Sequence, residues 1–211
     1  MLPLVLSLFQ VGAPPPPPPQ PPPPTYAVSD APPSTTGVEP EKPQTFIARA
    51  GLGYGSTLGS DENAALTLEG YNGGRVWVTV DGSLMINELV GVGVWGAYAH
   101  RQAQATSGSP TLRESDWFVG AQVPVSIVKT RVIQLLLIAR LGRAWATLGF
   151  GGTGRTVSGF AYGGEVSVLF PRVHLGTSIG LLSAPTDAPG DAGLKYDAGS
   201  FYFALNGVID G

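Results

Sequence analysis

Through most of the chain after residue 44, large apolar side chains alternate with small or polar ones at every second position. In the segment Arg75–Ile86, for example, Val78 and Val80 alternate with Thr79 and Asp81. Successive side chains of a β-strand point to opposite faces, so this period of two predicts strands, and the many glycine, β-branched and aromatic residues disfavour helices. The predicted strands are Phe46–Tyr54, Arg75–Ile86, Val90–Tyr98, Trp117–Ile127, Ile133–Leu141, Phe160–Phe170, Val173–Leu181 and Phe201–Ile209.

The connections between these strands alternate in length. Short connections are predicted around Asn87, at Val128–Arg131 and at Pro171. Long polar connections are predicted at Gly55–Gly74, Gln102–Arg113, Gly149–Val157 and Ser183–Gly199. This alternation is typical of outer-membrane barrels, and an even strand number lets a barrel close without edges. The predicted fold is therefore all-β: an eight-stranded antiparallel up-and-down transmembrane β-barrel with both ends on the short-turn side.

The two faces of the predicted strands differ in the size of their side chains. One face is uniformly large and apolar, whereas the other is rich in glycine and carries few charges. A face of small residues with a few opposite charges suits the narrow lumen of an eight-stranded barrel, and a large apolar face suits lipid. We therefore expect the apolar face to point outward.

Four charged residues share the predicted lumen face at mid-strand: Arg49, Asp81, Arg140 and Glu165. Strand order places Arg49 opposite Asp81 and Arg140 opposite Glu165, and the narrow lumen lets the two pairs meet. Unpaired charge is expensive in such a place, so the residues predict a salt-bridged plug. The functional alternative is a gated ion pathway.

Strand direction also sorts the aromatic residues into two belts. Near the long-loop rim the predicted positions are Tyr54, Tyr98, Trp117, Trp145, Phe160, Tyr162 and Phe201, and near the opposite rim they are Phe46 and Phe170. Aromatic girdles at both interfaces are typical of transmembrane barrels. The segregation favours the membrane interpretation over a soluble barrel with core aromatics.

Two further segments precede the predicted barrel, which spans residues 45–211. Residues 1–13 contain a short apolar run followed by small residues, which indicates a signal peptide. Residues 14–44 begin with a nearly continuous proline run and continue without an apolar period, which predicts a disordered spacer that starts as polyproline II. In an exported protein this stalk would lie in the periplasm, where a periplasmic or cell-wall partner could bind it.

Composition narrows the classes of function. Charged residues make up 13% of the chain, against about 25% in an ordinary soluble domain. The net charge of −3 disfavours binding to nucleic acid, and the absence of cysteine excludes disulfides and thiolate metal sites. No cofactor or metal site is predicted.

The residues that could carry catalysis form no convincing group. Gly149–Arg155 is glycine-rich but lacks the Lys-Ser/Thr ending of a P-loop, so we interpret it as a surface loop. His100 is expected at the long-loop rim without a serine at a neighbouring strand position. His174 is expected near the short-turn rim on the lumen face, as a hydrogen-bonding residue. A nucleophile needs a base within reach and a third group that orients it, so no catalytic residue is predicted.

These segments, connections and faces resemble the small outer-membrane barrels of the OmpA and OmpX type over residues 45–211. The resemblance implies a protein embedded among membrane lipids in the outer membrane of a Gram-negative-type bacterium and recognised by the outer-membrane assembly machinery. It implies a structural or surface-interaction role, with long loops outside. Two kinds of alternative remain. The first is another membrane barrel, either a small ion or solute pore or a lipid-modifying enzyme. The second is a soluble exported lipocalin-like carrier.

Overall fold

The structure, a computed structural model, describes residues 46–59, 70–71, 73–104, 110–187 and 195–211. The predicted signal peptide and Pro-rich spacer lie outside these residues. The described residues form the strands β1 Phe46–Thr57, β2 Arg75–Met85, β3 Gly91–Ala103, β4 Leu112–Lys129, β5 Gln134–Phe150, β6 Thr153–Phe170, β7 Leu175–Ser183, β8 Pro185–Asp187, β9 Lys195–Asp197 and β10 Ser200–Asp210. No helix among them is long and apolar enough to cross a membrane.

Eight of the described strands close into an antiparallel barrel in the order β1-β10-β7-β6-β5-β4-β3-β2. The first and last barrel strands pair along their length, and Phe46 and Gly211 exchange backbone hydrogen bonds of 3.1 and 3.2 Å. The start of β1, the end of β10 and the short connections therefore share one end, called here the lower end. The opposite end is the upper end. The predicted eight-stranded up-and-down barrel is confirmed.

The outer face of the barrel is apolar, and the four charged side chains predicted for the lumen point inside. Leu52 and Ile209 are 63% and 70% exposed on the outer face, whereas Arg49 and Asp81 are buried inside at 3% and 6% exposure. The burial pattern alternates with the period of two along β2, β4 and β5. A soluble barrel would bury its large apolar face, so this molecule has the opposite arrangement.

The connection between β5 and β6 differs from its sequence prediction. The two strands pair as far as Phe150 and Thr153, and only Gly151 and Gly152 form the turn, with φ angles of 59° and 100°. Two positive φ angles suit a tight hairpin turn and explain the two glycines. The predicted loop Gly149–Val157 is therefore wrong: most of it continues the strand ladder past the end of the apolar pattern.

The last long connection, Ser183–Gly199, also contains regular structure. The short strands β8 and β9 pair within it, and Tyr196 and Ala198 are fully buried. The Asp197 carboxylate accepts hydrogen bonds from the backbone N–H groups of Ala184 and Gly199 at 2.7 and 2.8 Å. This carboxylate ties both ends of the β8–β9 hairpin to each other.

The lower turns are closed by side chains that accept backbone hydrogen bonds. Asn87 Oδ1 accepts from the N–H groups of Leu89 and Val90 at 2.8 and 2.7 Å. Thr130 Oγ1 accepts from the N–H of Ile133 at 3.0 Å. Such Asx and Ser/Thr turns satisfy the backbone in few residues, which keeps these connections short.

Candidate functional site

The four charged residues predicted for the lumen lie together inside the lower half of the barrel. Arg49, Asp81, Arg140 and Glu165 form a closed ring called here the lower cluster. Arg49 contacts Asp81 and Glu165 at 2.7 Å each, and Arg140 contacts the same two carboxylates at 3.1 and 3.0 Å. Each arginine thus bridges both acids, and the four formal charges cancel.

The strand register places one of these pairs differently from the sequence prediction. Arg49 is directly opposite Asp81, but Arg140 is opposite Gly163, and Glu165 is opposite Ile138. The expectation that Arg140 is directly opposite Glu165 is therefore wrong, because the two residues are offset by two positions along the strand pair. The long arginine side chain spans that diagonal, so the salt bridge still forms.

Neutral polar groups complete the hydrogen bonding of the lower cluster. The Gln122 amide donates to Asp81 Oδ1 at 3.1 Å, and Arg49 donates to Ser167 Oγ at 2.8 Å. The Tyr202 hydroxyl accepts from Arg140 and donates to Glu165, both at 2.6 Å. Buried charges are tolerated when they are paired and fully hydrogen-bonded, and this network meets that condition.

A layer of aromatic rings lies above the lower cluster. Trp77 stacks on Phe118 at 5.3 Å and on Tyr202 at 4.9 Å between ring centroids, and Phe118 also stacks on Trp95 at 6.3 Å. The Arg140 guanidinium lies 5.2 Å from the Trp95 ring, which adds a cation–π contact. These rings fill the lumen with carbon, so the lower cluster is closed off from above.

Beyond the rings lies a second group of buried charges, the upper cluster of Arg75, Arg101, Glu114 and Asp116. Arg75 forms an ion pair with Glu114 and another with Asp116 at 3.1 Å, and Arg101 contacts Glu114 at 2.7 Å. Sequence reasoning missed this group. Alternation places Arg75 and Asp116 on the inward face, but Arg101 and Glu114 lie beyond the ends of the predicted strands Val90–Tyr98 and Trp117–Ile127.

Arg75 also connects the barrel wall to the last connection. Its guanidinium donates to the Tyr196 hydroxyl at 2.8 Å and to the carbonyl oxygens of Ala198 and Gly199. Tyr196 is buried against the same wall. Arg75 therefore helps to hold the segment after β9 inside the upper mouth of the barrel, together with backbone bonds from Leu58 to Gly199 and from Ala198 to Ala184.

The aromatic residues predicted for the girdles lie on outward positions of the barrel strands: Phe46, Tyr54, Tyr98, Trp117, Trp145, Phe160, Tyr162, Phe170 and Phe201. Trp117 is opposite Trp145 in the register, and its ring packs on Tyr98 at 4.6 Å. Large rings with polar handles suit the boundary between hydrocarbon and water.

His100 has a serine partner, contrary to the sequence expectation. Ser115 is directly opposite it on β4, and His100 Nδ1 lies 3.0 Å from Ser115 Oγ. The pair lies on the outer face of the upper barrel, where the Tyr98 ring stacks on the imidazole at 6.2 Å. No carboxylate occupies an outward position of the described barrel strands, so none there orients the imidazole as a catalytic base requires.

His174 was expected on the lumen face, and the structure contradicts this. It ends the 3₁₀ turn Pro171–Val173 with a φ angle of 53°, and its side chain is 69% exposed. Its Nδ1 lies 3.7 Å from Asp210 Oδ1. The predicted strand began at Val173, but Val173 and His174 belong to the turn, so the His174 side chain points out of the end of the barrel.

Two solved structures resemble this architecture. The attachment invasion locus protein Ail of Yersinia pestis, in complex with the heparin analogue sucrose octasulfate, has a TM-score of 0.50 and 15% identity, covering 78% of this chain and 99% of that one. Neisserial surface protein A has a TM-score of 0.50 and 12% identity, covering 76% of this chain and 95% of that one. The chain has the fold of the small eight-stranded outer-membrane β-barrels. No protein-family model matches the sequence, and no curated protein matches it.

Charged clusters and aromatic rings occupy the interior of this barrel. Two neutral ion clusters and an aromatic layer occupy the lumen in succession, and no three described His, Asp or Glu side chains are grouped as metal ligands. What the interior can do chemically is to hold charges in fixed pairs. The outer face and both ends of the barrel are exposed to other molecules.

Proposed function

We propose that the protein is an integral barrel of the outer membrane of a Gram-negative-type bacterium, with a plugged lumen and a surface-interaction role at its upper end. In this proposal the upper end faces outside, as the longer connections do in outer-membrane barrels. The lower end, with the residues that precede β1, faces the periplasm. The proposal includes no catalytic step.

The observation that carries the proposal is the outward apolar face. Large residues such as Leu52, Val94 and Ile209 are 63%, 69% and 70% exposed on a wall that runs around the barrel. Soluble monomers rarely expose contiguous apolar patches larger than a few hundred Å². Lipid removes that cost, and the closed barrel leaves no strand edge unpaired in the hydrocarbon. The same feature argues against a lipocalin-like carrier, which would need its polar face outside.

Membrane insertion predicts heat-modifiable migration. The full chain expressed in a Gram-negative host should fractionate with the outer membrane, because its apolar wall needs lipid. After extraction in mild detergent it should migrate differently on a gel before and after boiling. Recovery in the soluble periplasmic fraction, with the same migration in both lanes, would contradict the proposal.

The occupied lumen predicts that the protein does not conduct ions. In planar bilayers the wild type should show no steady conductance steps, whereas a general porin measured in the same chamber supplies the positive control. The lower cluster and the Trp77 ring layer occupy the lumen between the two ends, which supports this expectation. Steady conductance by the purified wild type would favour the pore alternative instead.

A further inference from the structure

A band of polar side chains crosses the outer face of β3 to β6 near the upper end. The register joins His100, Ser115, Thr147 and Thr156 in one row, each opposite the next. The row beneath it holds Tyr98, Trp117, Trp145 and Ser158. Polar groups directly above aromatic rings mark the level where the wall passes from hydrocarbon to lipid headgroups.

One cation lies just below the aromatic row. Arg143 points outward from β5, opposite Val119 and Phe160, and its Nη2 donates to Ser158 Oγ at 3.4 Å. This bond draws the guanidinium up towards the headgroup level. The described outward positions of the barrel strands carry no carboxylate. A guanidinium beside a hydroxyl, without a competing acid, complements a phosphate group.

An apolar depression, called here the groove, lies beneath this cation, with β5 and β6 in its middle and β4, β7 and β10 at its sides. Ala139 and Gly164 are opposite each other and leave a depression between larger residues such as Leu137, Val166 and Leu181. The groove has a volume of about 550 Å³, within the usual range of small-molecule sites. Ala139 lies four residues before Arg143, which places the groove about 13 Å down the wall at a rise of about 3.3 Å per residue.

We propose that β5 and β6 hold one phosphorylated lipid of the outer leaflet at a fixed place. Arg143 and Ser158 bind its phosphate, and one acyl chain lies in the groove at Ala139 and Gly164. The proposal rests on the proposed function, because it requires the upper end to face the outer leaflet. A second copy of the chain fits this site less well than a phosphorylated lipid does. The described outward positions of its barrel strands carry uncharged residues or another arginine, and no acid that could pair with Arg143.

Native mass spectrometry of the full chain in mild detergent tests this lipid site. The probes are diphosphorylated lipid A, its dephosphorylated form and phosphatidylglycerol. The wild type should retain one lipid A, and Arg143→Gln should lower the retained fraction about tenfold or more, because a charge-assisted hydrogen bond is lost. Dephosphorylated lipid A should bind the wild type as weakly as lipid A binds the variant.

Filling the groove tests the acyl-chain half of the site. Gly164→Leu should also lower lipid A retention, and a Cβ at this position meets nothing closer than the Ile138 carbonyl oxygen at 3.5 Å, so the barrel accommodates it. Ala139→Leu fills the same groove from the facing strand and serves if Gly164→Leu assembles poorly. The matched controls are Arg172→Gln, an exposed cation in the lower 3₁₀ turn, and Gly82→Leu, an outward glycine whose Cβ would lie 3.7 Å from the Phe46 ring.

Each variant is first checked for heat-modifiable migration, so that loss of binding is read only on folded barrels. Wild-type retention in Arg143→Gln, or in both groove variants, would overturn the proposed site. Equal retention of phosphatidylglycerol and lipid A would overturn the assignment to the outer leaflet. A failure of the proposed function is separate, because it would appear as soluble fractionation of the wild type.

Discussion

Replacement of Glu165 by alanine is expected to lower the free energy of unfolding by about 3–5 kcal/mol, the range found when one partner of a buried ion pair is removed. The variant leaves Arg49 and Arg140 sharing Asp81 alone, so the lower cluster carries a net positive charge inside the barrel. It also removes the acceptor of the Tyr202 hydroxyl. The measurement is the denaturant midpoint of the folded barrel in detergent, followed by tryptophan fluorescence.

The control for the Glu165 variant is Arg113→Ala. Arg113 is an exposed charge near the upper end, and exposed charges contribute at most about 1 kcal/mol. Its midpoint should therefore stay close to that of the wild type. If Glu165→Ala unfolded at the same denaturant concentration as Arg113→Ala, the lower cluster would not stabilise the barrel.

The second large effect is expected at Gly120. A Cβ at this inward position would overlap the carbonyl oxygen of Leu141 on the neighbouring strand, and Gly142 is directly opposite. Trp95 lies in the same inward row, and its indole N–H donates to the Ala121 carbonyl at 3.0 Å. Gly120→Val should therefore prevent assembly of the folded barrel, which is seen as loss of the heat-modifiable gel band.

Gly96→Val provides the matched comparison for Gly120→Val. Gly96 points outward from β3, and a Cβ there would meet the Phe118 carbonyl oxygen at 3.5 Å, an ordinary contact. Valine also suits strands. This variant should retain the heat-modifiable band. A folded Gly120→Val barrel would show that the two strands can separate locally without loss of closure.

The alternation of large and small residues predicted the barrel because one physical rule governs every strand. Each outward position meets lipid and each inward position meets a crowded lumen, so the alternating segments give the number of strands and the inward placement of Arg49. The direction of the strands follows from the alternating lengths of their connections. The alternation does not determine the register between neighbouring strands. For that reason the diagonal contact of Arg140 with Glu165 could not be read from the sequence.

The sequence prediction ended the strands too early where they continue beyond the apolar wall. In β5 and β6 the outward residues above Trp145 are polar, since Thr147 and Thr156 lie at headgroup level, and an apolar period cannot mark a strand there. The upper cluster was missed for the same reason, because Arg101 and Glu114 lie in strand ends beyond the predicted strands Val90–Tyr98 and Trp117–Ile127. Backbone hydrogen bonds between strands do not depend on whether the side chains are apolar, so they extend these strands past the apolar pattern.

The bonds from Arg75 to the segment after β9 have a consequence for the proposed surface-interaction role. A loop that must become ordered when a partner binds loses conformational entropy, which weakens the complex. Tyr196 and Ala198 are already fixed inside the mouth of the barrel, so the described stems of the β8–β9 hairpin have paid that cost during folding. A partner that docks on these described stems would meet a preorganised surface, and its affinity there would depend on shape and charge more than on induced order.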